Sequence, residues 1–219
     1  MEVRSYSYQP IDSRMYIMAV GKTAVIIDPC ESEAAKDYLE QCGIEVVKVL
    51  LTHEHYDHIS GVNWLRSLYP TTVICTEACG KGIENPSKNL SRHYEVLFIF
   101  SPEQVRQFAF AQNVQPYECK ADIVFDSIYT LEVGGHKWVM TATPGHSPGS
   151  CCIMLDDQYC FTGDSMLEHL PIITRFPGGS RKAFEKSVES YLSQLNEGTI
   201  ICPGHGDMYT VKKKGIIDE

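Results

Sequence analysis

The feature that most constrains this chain is an apolar run, Val46-Val47-Lys48-Val49-Leu50-Leu51, passing directly into Thr52-His53-Glu54-His55-Tyr56-Asp57-His58. The first part reads as a buried strand, short and rich in β-branched residues. In an extended segment, side chains two apart project to the same side, so His53 and His55 converge on one point. Val62, Leu65, Leu68 and Tyr69 then repeat at helical spacing. A helix therefore opens near Asp57, and the change of direction swings Asp57 and His58 toward a neighbouring point. A lone aspartate there would read as a helix cap. Three histidines and an aspartate within six positions read instead as ligands for two adjacent metal ions. Imidazole nitrogen and carboxylate oxygen suit zinc, iron or manganese.

Three more candidates stand at strand exits beside turn residues. Thr143-Pro144-Gly145-His146 follows a strand ending near Ala142, Gly163-Asp164 follows one ending near Thr162, and Pro203-Gly204-His205 follows one beginning at Thr199. Each alone would be an ordinary turn residue. The same arrangement three times over argues for ligands, because glycine lets the backbone approach an ion closely.

The remaining pattern places these residues in one domain spanning 1–219. Met15–Val20 and Thr23–Ile27 read as a hairpin, and Ser32 opens a helix to about Cys42. Thr72–Cys75 is a further strand. From about 82 to 127 the rhythm breaks, with a helix-like Pro102–Gln112, and this reads as an insertion over one face. Beyond it come strands at Tyr129–Val133, Lys137–Ala142, Ser150–Leu155 and Tyr159–Thr162. A helix at Ser180–Leu195 and a strand at Thr199–Cys202 close the pattern. Strands and helices recurring in both halves suit two packed sheets with helices outside.

The motif His-x-His-x-Asp-His with the downstream His, Asp and His resembles the metallo-β-lactamase superfamily, over residues from about 15 to 210. The resemblance implies an αββα sandwich of two mixed β-sheets, an α/β (α+β) fold with helices on the outer faces and two metals at one edge. It assigns His53, His55 and His146 to one ion, Asp57, His58 and His205 to the other, and Asp164 to both. The cofactors expected are two divalent ions, zinc first and iron or manganese as alternatives. Such ions lower the pKa of bound water toward roughly 7 and polarise a substrate carbonyl. Asp57 is the catalytic candidate, placed by the resemblance beside the reacting solvent to receive or orient a proton.

Within the superfamily, many β-lactamases carry cysteine where this chain has Asp164. Thr174-Arg175-Phe176-Pro177-Gly178-Gly179-Ser180 resembles a segment of glyoxalase II-like thioesterases, and Asn89-Leu90-Ser91 another. Arg175, Gly178 and Gly179 are accordingly substrate-binding candidates, the loop and following helix N-terminus offering an anion pocket. Two departures are visible: the chain ends soon after His205, without the helical region that contacts glutathione, and Met166–Pro171 is unlike the usual segment. The function expected is hydrolysis of a thioester or other activated acyl compound. The alternative is a mononuclear iron oxygenase similar to persulfide dioxygenases, using His53, His146 and Asp164. β-Lactam, lactone and phosphodiester hydrolysis rank lower.

A net charge of −9 excludes a basic nucleic-acid surface. Lys212-Lys213-Lys214 reads as a solvated tail. The expected partner is a small acyl molecule, with no nucleic acid and no membrane; the oligomeric state is left open. The opening residues lack a signal-peptide pattern, and no apolar stretch approaches the ~20 residues of a membrane span, so a cytoplasmic location is expected. The nine cysteines are odd in number, and several lie in strand-like runs, which reads as reduced, buried thiols. His93, His136 and His169 read as surface or packed histidines. The aromatics Tyr94, Phe98, Phe100, Phe108 and Phe110 read as core, with part of the 82–127 stretch expected to wall the site.

Overall fold

Successive strand residues point to opposite faces, and in this chain both faces of the central strands are apolar. That dictates a layered molecule. The computed structural model describes residues 2–9, 11–98, 102–111 and 113–212, without the side chains of 108 and 109. Among them, one six-stranded sheet runs in chain order through β1 (Arg4–Tyr8), β2 (Ser13–Val20), β3 (Thr23–Ile27), β4 (Val46–Leu50), β5 (Thr71–Thr76) and β6 (Ile123–Phe125). The second is ordered β12 (Tyr209–Thr210), β11 (Ile200–Pro203), β10 (Tyr159–Gly163), β9 (Cys151–Leu155), β8 (His136–Ala142) and β7 (Ile128–Val133). Both are mixed: β3 to β6 are parallel, as are β10 and β11, and the other pairs are antiparallel.

The alternation sorts the core into layers. On β2 and β3, Tyr16, Met18, Val25 and Ile27 face the other sheet, where they join Trp138, Met140, Ile153 and Phe161. Met15, Ile17, Ala24 and Ile26 face outward, under α1 (Glu33–Gln41) and α3 (Val62–Leu68), which contribute Leu39, Val62 and Leu65. On the far side Cys152, Cys160 and Ile201 lie under α6 (Arg181–Ser190), with Phe184 and Val188 packed on them. The αββα sandwich is therefore present. Eight of the nine cysteines are buried, Cys42 is half-buried, and all nine are free thiols.

Some expectations are corrected. The stretch 82–127 is not an insertion throughout: its end, β6, adds a parallel strand to β5. Before it come the last turn of α4 (Glu77–Ile83), a 3-10 segment over Ser91–Phe98 kinked at His93, and α5 (Glu103–Ala111). The helix after Ser180 stops at Ser190, because Tyr191 leaves helical geometry, and a 3-10 turn at Leu192–Gln194 follows. Three elements have little sequence signal. β1 is a half-exposed edge strand with alternating serines, α4 carries two glycines, and β12 is two residues long. Lys213, Lys214 and Phe100, and the side chain of Phe108, lie outside the described residues. No described helix is long and apolar enough to cross a membrane.

Candidate metal centre

The strand ends deliver ligand-type side chains to one edge of the sandwich. β4 ends at Leu50, and a loop over residues 51–55, bent at Thr52, leads to α2 (Tyr56–Ile59), which carries Asp57 and His58. The loop after β8 brings His146, the exit of β10 brings Asp164, and the exit of β11 brings His205. β10 and β11 are parallel neighbours, and the Gly204 N–H donates to Gly163 O at 2.8 Å, so their exits lie side by side. The two sheets are joined here by the Cys151 N–H donating to Thr52 O at 2.8 Å. Backbone approach is close enough to require glycine twice. Gly163 has φ +48° and sits against Thr52, while a Cβ on Gly204 would collide with Asp164.

The side chains form two groups. His53, His55 and His146 place one ligand atom each within 4.8 Å of one another, and so do Asp57, His58 and His205. Asp164 stands between them. Its Oδ2 lies 3.4 Å from His146 Nε2 and 3.4 Å from His205 Nε2, and its Oδ1 lies 3.5 Å from His58 Nε2. The Oδ2 of Asp57 is 3.2 Å from His58 Nε2 and 3.5 Å from His205 Nε2. All seven sequence candidates for metal binding are thus brought together. Of the chain's eight histidines, five are here. His93 and His169 are exposed beside glutamates, and His136 pairs with Asp156 at 2.6 Å.

A second layer aims these rings. Asp28, at the end of β3 with φ +50°, is buried and accepts three hydrogen bonds. They come from His58 Nδ1 at 2.9 Å, Thr52 N at 2.7 Å and Thr52 Oγ1 at 2.5 Å. Because the Thr52 hydroxyl is donated to Asp28, its oxygen is left to accept from His53 Nδ1 at 3.1 Å. His146 Nδ1 donates to Ile173 O at 2.7 Å and His205 Nδ1 to Ile11 O at 3.1 Å. In four histidines, then, one ring nitrogen is anchored to oxygen and Nε2 faces the cluster, the arrangement that fixes tautomer and orientation in metal sites. Asp28, His53 and His58 also lie close enough to share an ion, but Asp28 is occupied by its three donors and acts as an orienting group.

Glu54 does similar work between loops. It is buried, and its Oε2 accepts from Ser147 Oγ at 2.8 Å, so the loop of His53 and His55 is tied to the loop of His146. Asp28 and Glu54 were not foreseen. The sequence offered only an Asp-Pro turn signal and a polar residue between histidines.

The fit to metal can be tested on polar atoms. His53 Nε2, His55 Nε2, His58 Nε2, Asp57 Oδ1 and Asp164 Oδ1 are buried without a hydrogen-bond partner. Leaving one such group unpaired costs about 1–3 kcal/mol, so this many on residues of two adjoining groups call for a ligand, with His55 meeting His146 Nε2 through its Nδ1 at 3.0 Å. Nitrogen and carboxylate donors without thiolate fit zinc, iron or manganese. Electrostatics agree. Burial, helped by neighbouring imidazoles, pushes His55 down to about 3 and His53 well below the usual range, and burial also lowers His146. These rings stay neutral, the form that binds metal. Burial alone would lower His58 and His205 as well, but Asp57 and Asp164 hold both up. Against burial, His58 and His205 keep the carboxyls of Asp57 and Asp164 below their ordinary value.

A cavity of about 1080 Å³ opens over the cluster, with His55, Asp57, His146, Asp164 and His205 in its floor. Arg175 lines it, but Gly178 and Gly179 do not. Gly178 packs on Pro148 and Gly179 against the carbonyls of Thr174 and His146. The Gly179 N–H is used by Phe176 O and the Ser180 N–H by Gly145 O. This turn therefore braces the His146 loop, and Ser180 caps α6 through Ala183 N; the amides of Gly179 and Ser180 are used inside the turn. From the 82–127 stretch, Leu97 reaches the cavity, while Tyr94 and Phe98 pack with Phe176 behind it and Phe110 is exposed.

Known proteins are similar to this chain along most of its length. YqgX of Bacillus subtilis, a probable metallo-hydrolase, is 24% identical over 208 residues, covering 94% of this chain and 90% of its own length. Hydroxyacylglutathione hydrolase GloC of Haemophilus influenzae is 28% identical, covering 87% of this chain and 83% of its own. The BLEG-1 B3 metallo-beta-lactamase superposes with a TM-score of 0.79 at 26% identity, over 95% of this chain and 94% of that one. A sequence profile matches residues 9–205, from just after β1 through the last ligand-type histidine, and by it the chain belongs to the metallo-beta-lactamase superfamily.

Proposed function

We propose that this chain is a binuclear metal-dependent hydrolase acting on thioesters or other activated acyl compounds. The observation that carries the reading is Asp164, with one carboxylate oxygen 3.4 Å from a ring nitrogen of each histidine group. His53, His55 and His146 would hold one ion, Asp57, His58 and His205 the other, and Asp164 both. Two divalent ions there would supply Lewis acidity and a water whose pKa falls toward ~7. Asp28, Ile173 O and Ile11 O keep the rings aimed, so little reorganisation is needed. Asp57, with Oδ1 free of partners at the cavity floor, is placed to hold a proton during acyl transfer. Zinc is the first choice by donor set, with iron and manganese next. The name of GloC supports a thioester as the substrate class.

The likeness to BLEG-1 supports a second reading, β-lactam hydrolysis. One experiment decides: the protein is stripped with a chelator, reloaded separately with zinc, iron and manganese, and assayed on a small acyl-thioester panel and a chromogenic β-lactam. Thioester turnover that disappears on chelation and returns with metal is the expected result. Turnover of the β-lactam alone, or oxygen consumption on a persulfide with a single iron, would overturn it.

A further inference from the structure

We infer that the substrate carries an apolar acyl chain and at most one anionic group, and is not a glutathione conjugate; this rests on the thioesterase reading above and narrows it. The segment after Asp164 decides the matter. Leu167, Leu170, Ile172 and Ile173 form one wall of the cavity, and Leu97, Phe176 and Phe184 face it from other elements. Leu170 is 57% exposed, which leaves a large aliphatic side chain at the mouth facing water unless a ligand covers it. The cation supply is small by comparison. Arg181 pairs with Glu185 at 3.0 Å and Asp12 with Arg14 at 3.3 Å, so these charges are matched in pairs. Arg175 is exposed and makes no ion pair among the described residues. A glutathione moiety brings two carboxylates, an ammonium and two peptide groups, and a largely aliphatic wall with one unpaired guanidinium offers them few polar partners. Arg175 suits a single anionic group at the rim, with a hydrocarbon chain along the aliphatic wall.

The cavity, at about 1080 Å³, reaches the upper end of small-molecule sites, so a chain of medium length fits beside the metal floor. Burying a methylene favours binding by roughly two- to fourfold, the lower figure applying to an open wall.

The test uses non-hydrolysable thioethers of N-acetylcysteamine, from butyl to decyl, bound to the full-length protein and followed by calorimetry. Affinity should climb at least about tenfold across the series. S-methylglutathione should bind more weakly than the decyl compound. In the Leu167→Asp, Ile172→Asp double variant, with wild-type circular dichroism, the climb should flatten. Affinity independent of chain length, or tighter binding of S-methylglutathione, would overturn the inference, and the wild-type series decides this whatever the variant does. Hydrolysis of the decanoyl thioester is measured separately. A steep binding series without turnover would refute the thioesterase reading and leave the apolar site standing, whereas turnover with a flat series would do the reverse.

Discussion

The two ligand groups meet at one carboxylate yet are built on different principles. His53, His55 and His146 are three imidazoles that burial keeps neutral, one of them pushed down to about 3. Asp57, His58 and His205 include a carboxylate, and their histidines are held up by Asp57 and Asp164. Without ions, these histidines and carboxylates favour one another's charged forms; with ions, the positive charge would come from the metal. The first group would therefore offer an ion neutral nitrogens alone, and the second two nitrogens together with a carboxylate. The six-residue run from His53 to His58 feeds both groups.

That asymmetry can be broken from either side. The largest expected effect is from His58→Ala. It removes a nitrogen from the second group and one of the three donors to buried Asp28, so metal analysis should show about one ion retained. Hydrolysis should fall by on the order of 100-fold or more, beyond the usual cost of losing an outer partner. Loss of the first ion with retention of the second would reverse the assignment. Asp28→Asn comes next. Metal titration should show the second group weakened roughly 10- to 100-fold. The first should weaken less, since Asp28 reaches it only through Thr52 and His53. Equal weakening would show that the groups are one unit.

Glu54→Ala acts on the other side. It unties the His146 loop, so first-group affinity should drop about tenfold and urea unfolding should show a loss of about 2 kcal/mol. Glu54→Gln, which keeps an acceptor for Ser147, should restore most of both. Failure of that rescue would show that charge, rather than the hydrogen bond, is what Glu54 supplies. The smallest effect is expected from Ser180→Ala. Removing the α6 cap should cost about 1 kcal/mol in the same unfolding measurement and leave metal content unchanged. A change in metal content would mean that the glycine turn and the His146 loop are more tightly linked than their packing indicates.

The same contrast explains what could be read from the sequence. His53 to His58 are contiguous, lying in the loop after β4 and in the helix start that follows, so the run was legible on its own. His146, Asp164 and His205 were legible because each follows an apolar strand and sits beside glycine. Asp28 and Glu54 were not. Their roles depend on pairing across 30 and 93 positions, which no local pattern carries. The packing role of the double-glycine segment was hidden for a related reason: Gly178 and Gly179 sit against Pro148, Thr174 and His146, and a turn built for packing reads the same as one built for an anion. β6 was hidden because a three-residue edge strand depends on β5 for its hydrogen bonds.

The central claim is that one carboxylate joins two metal sites. The most direct measurement is metal stoichiometry by plasma mass spectrometry on the wild-type protein and Asp164→Ala, purified identically. The wild type should hold about two ions per chain and the variant one or fewer, with thioester hydrolysis lost. Two tightly held ions in Asp164→Ala, or a single ion in a fully active wild type, would contradict it.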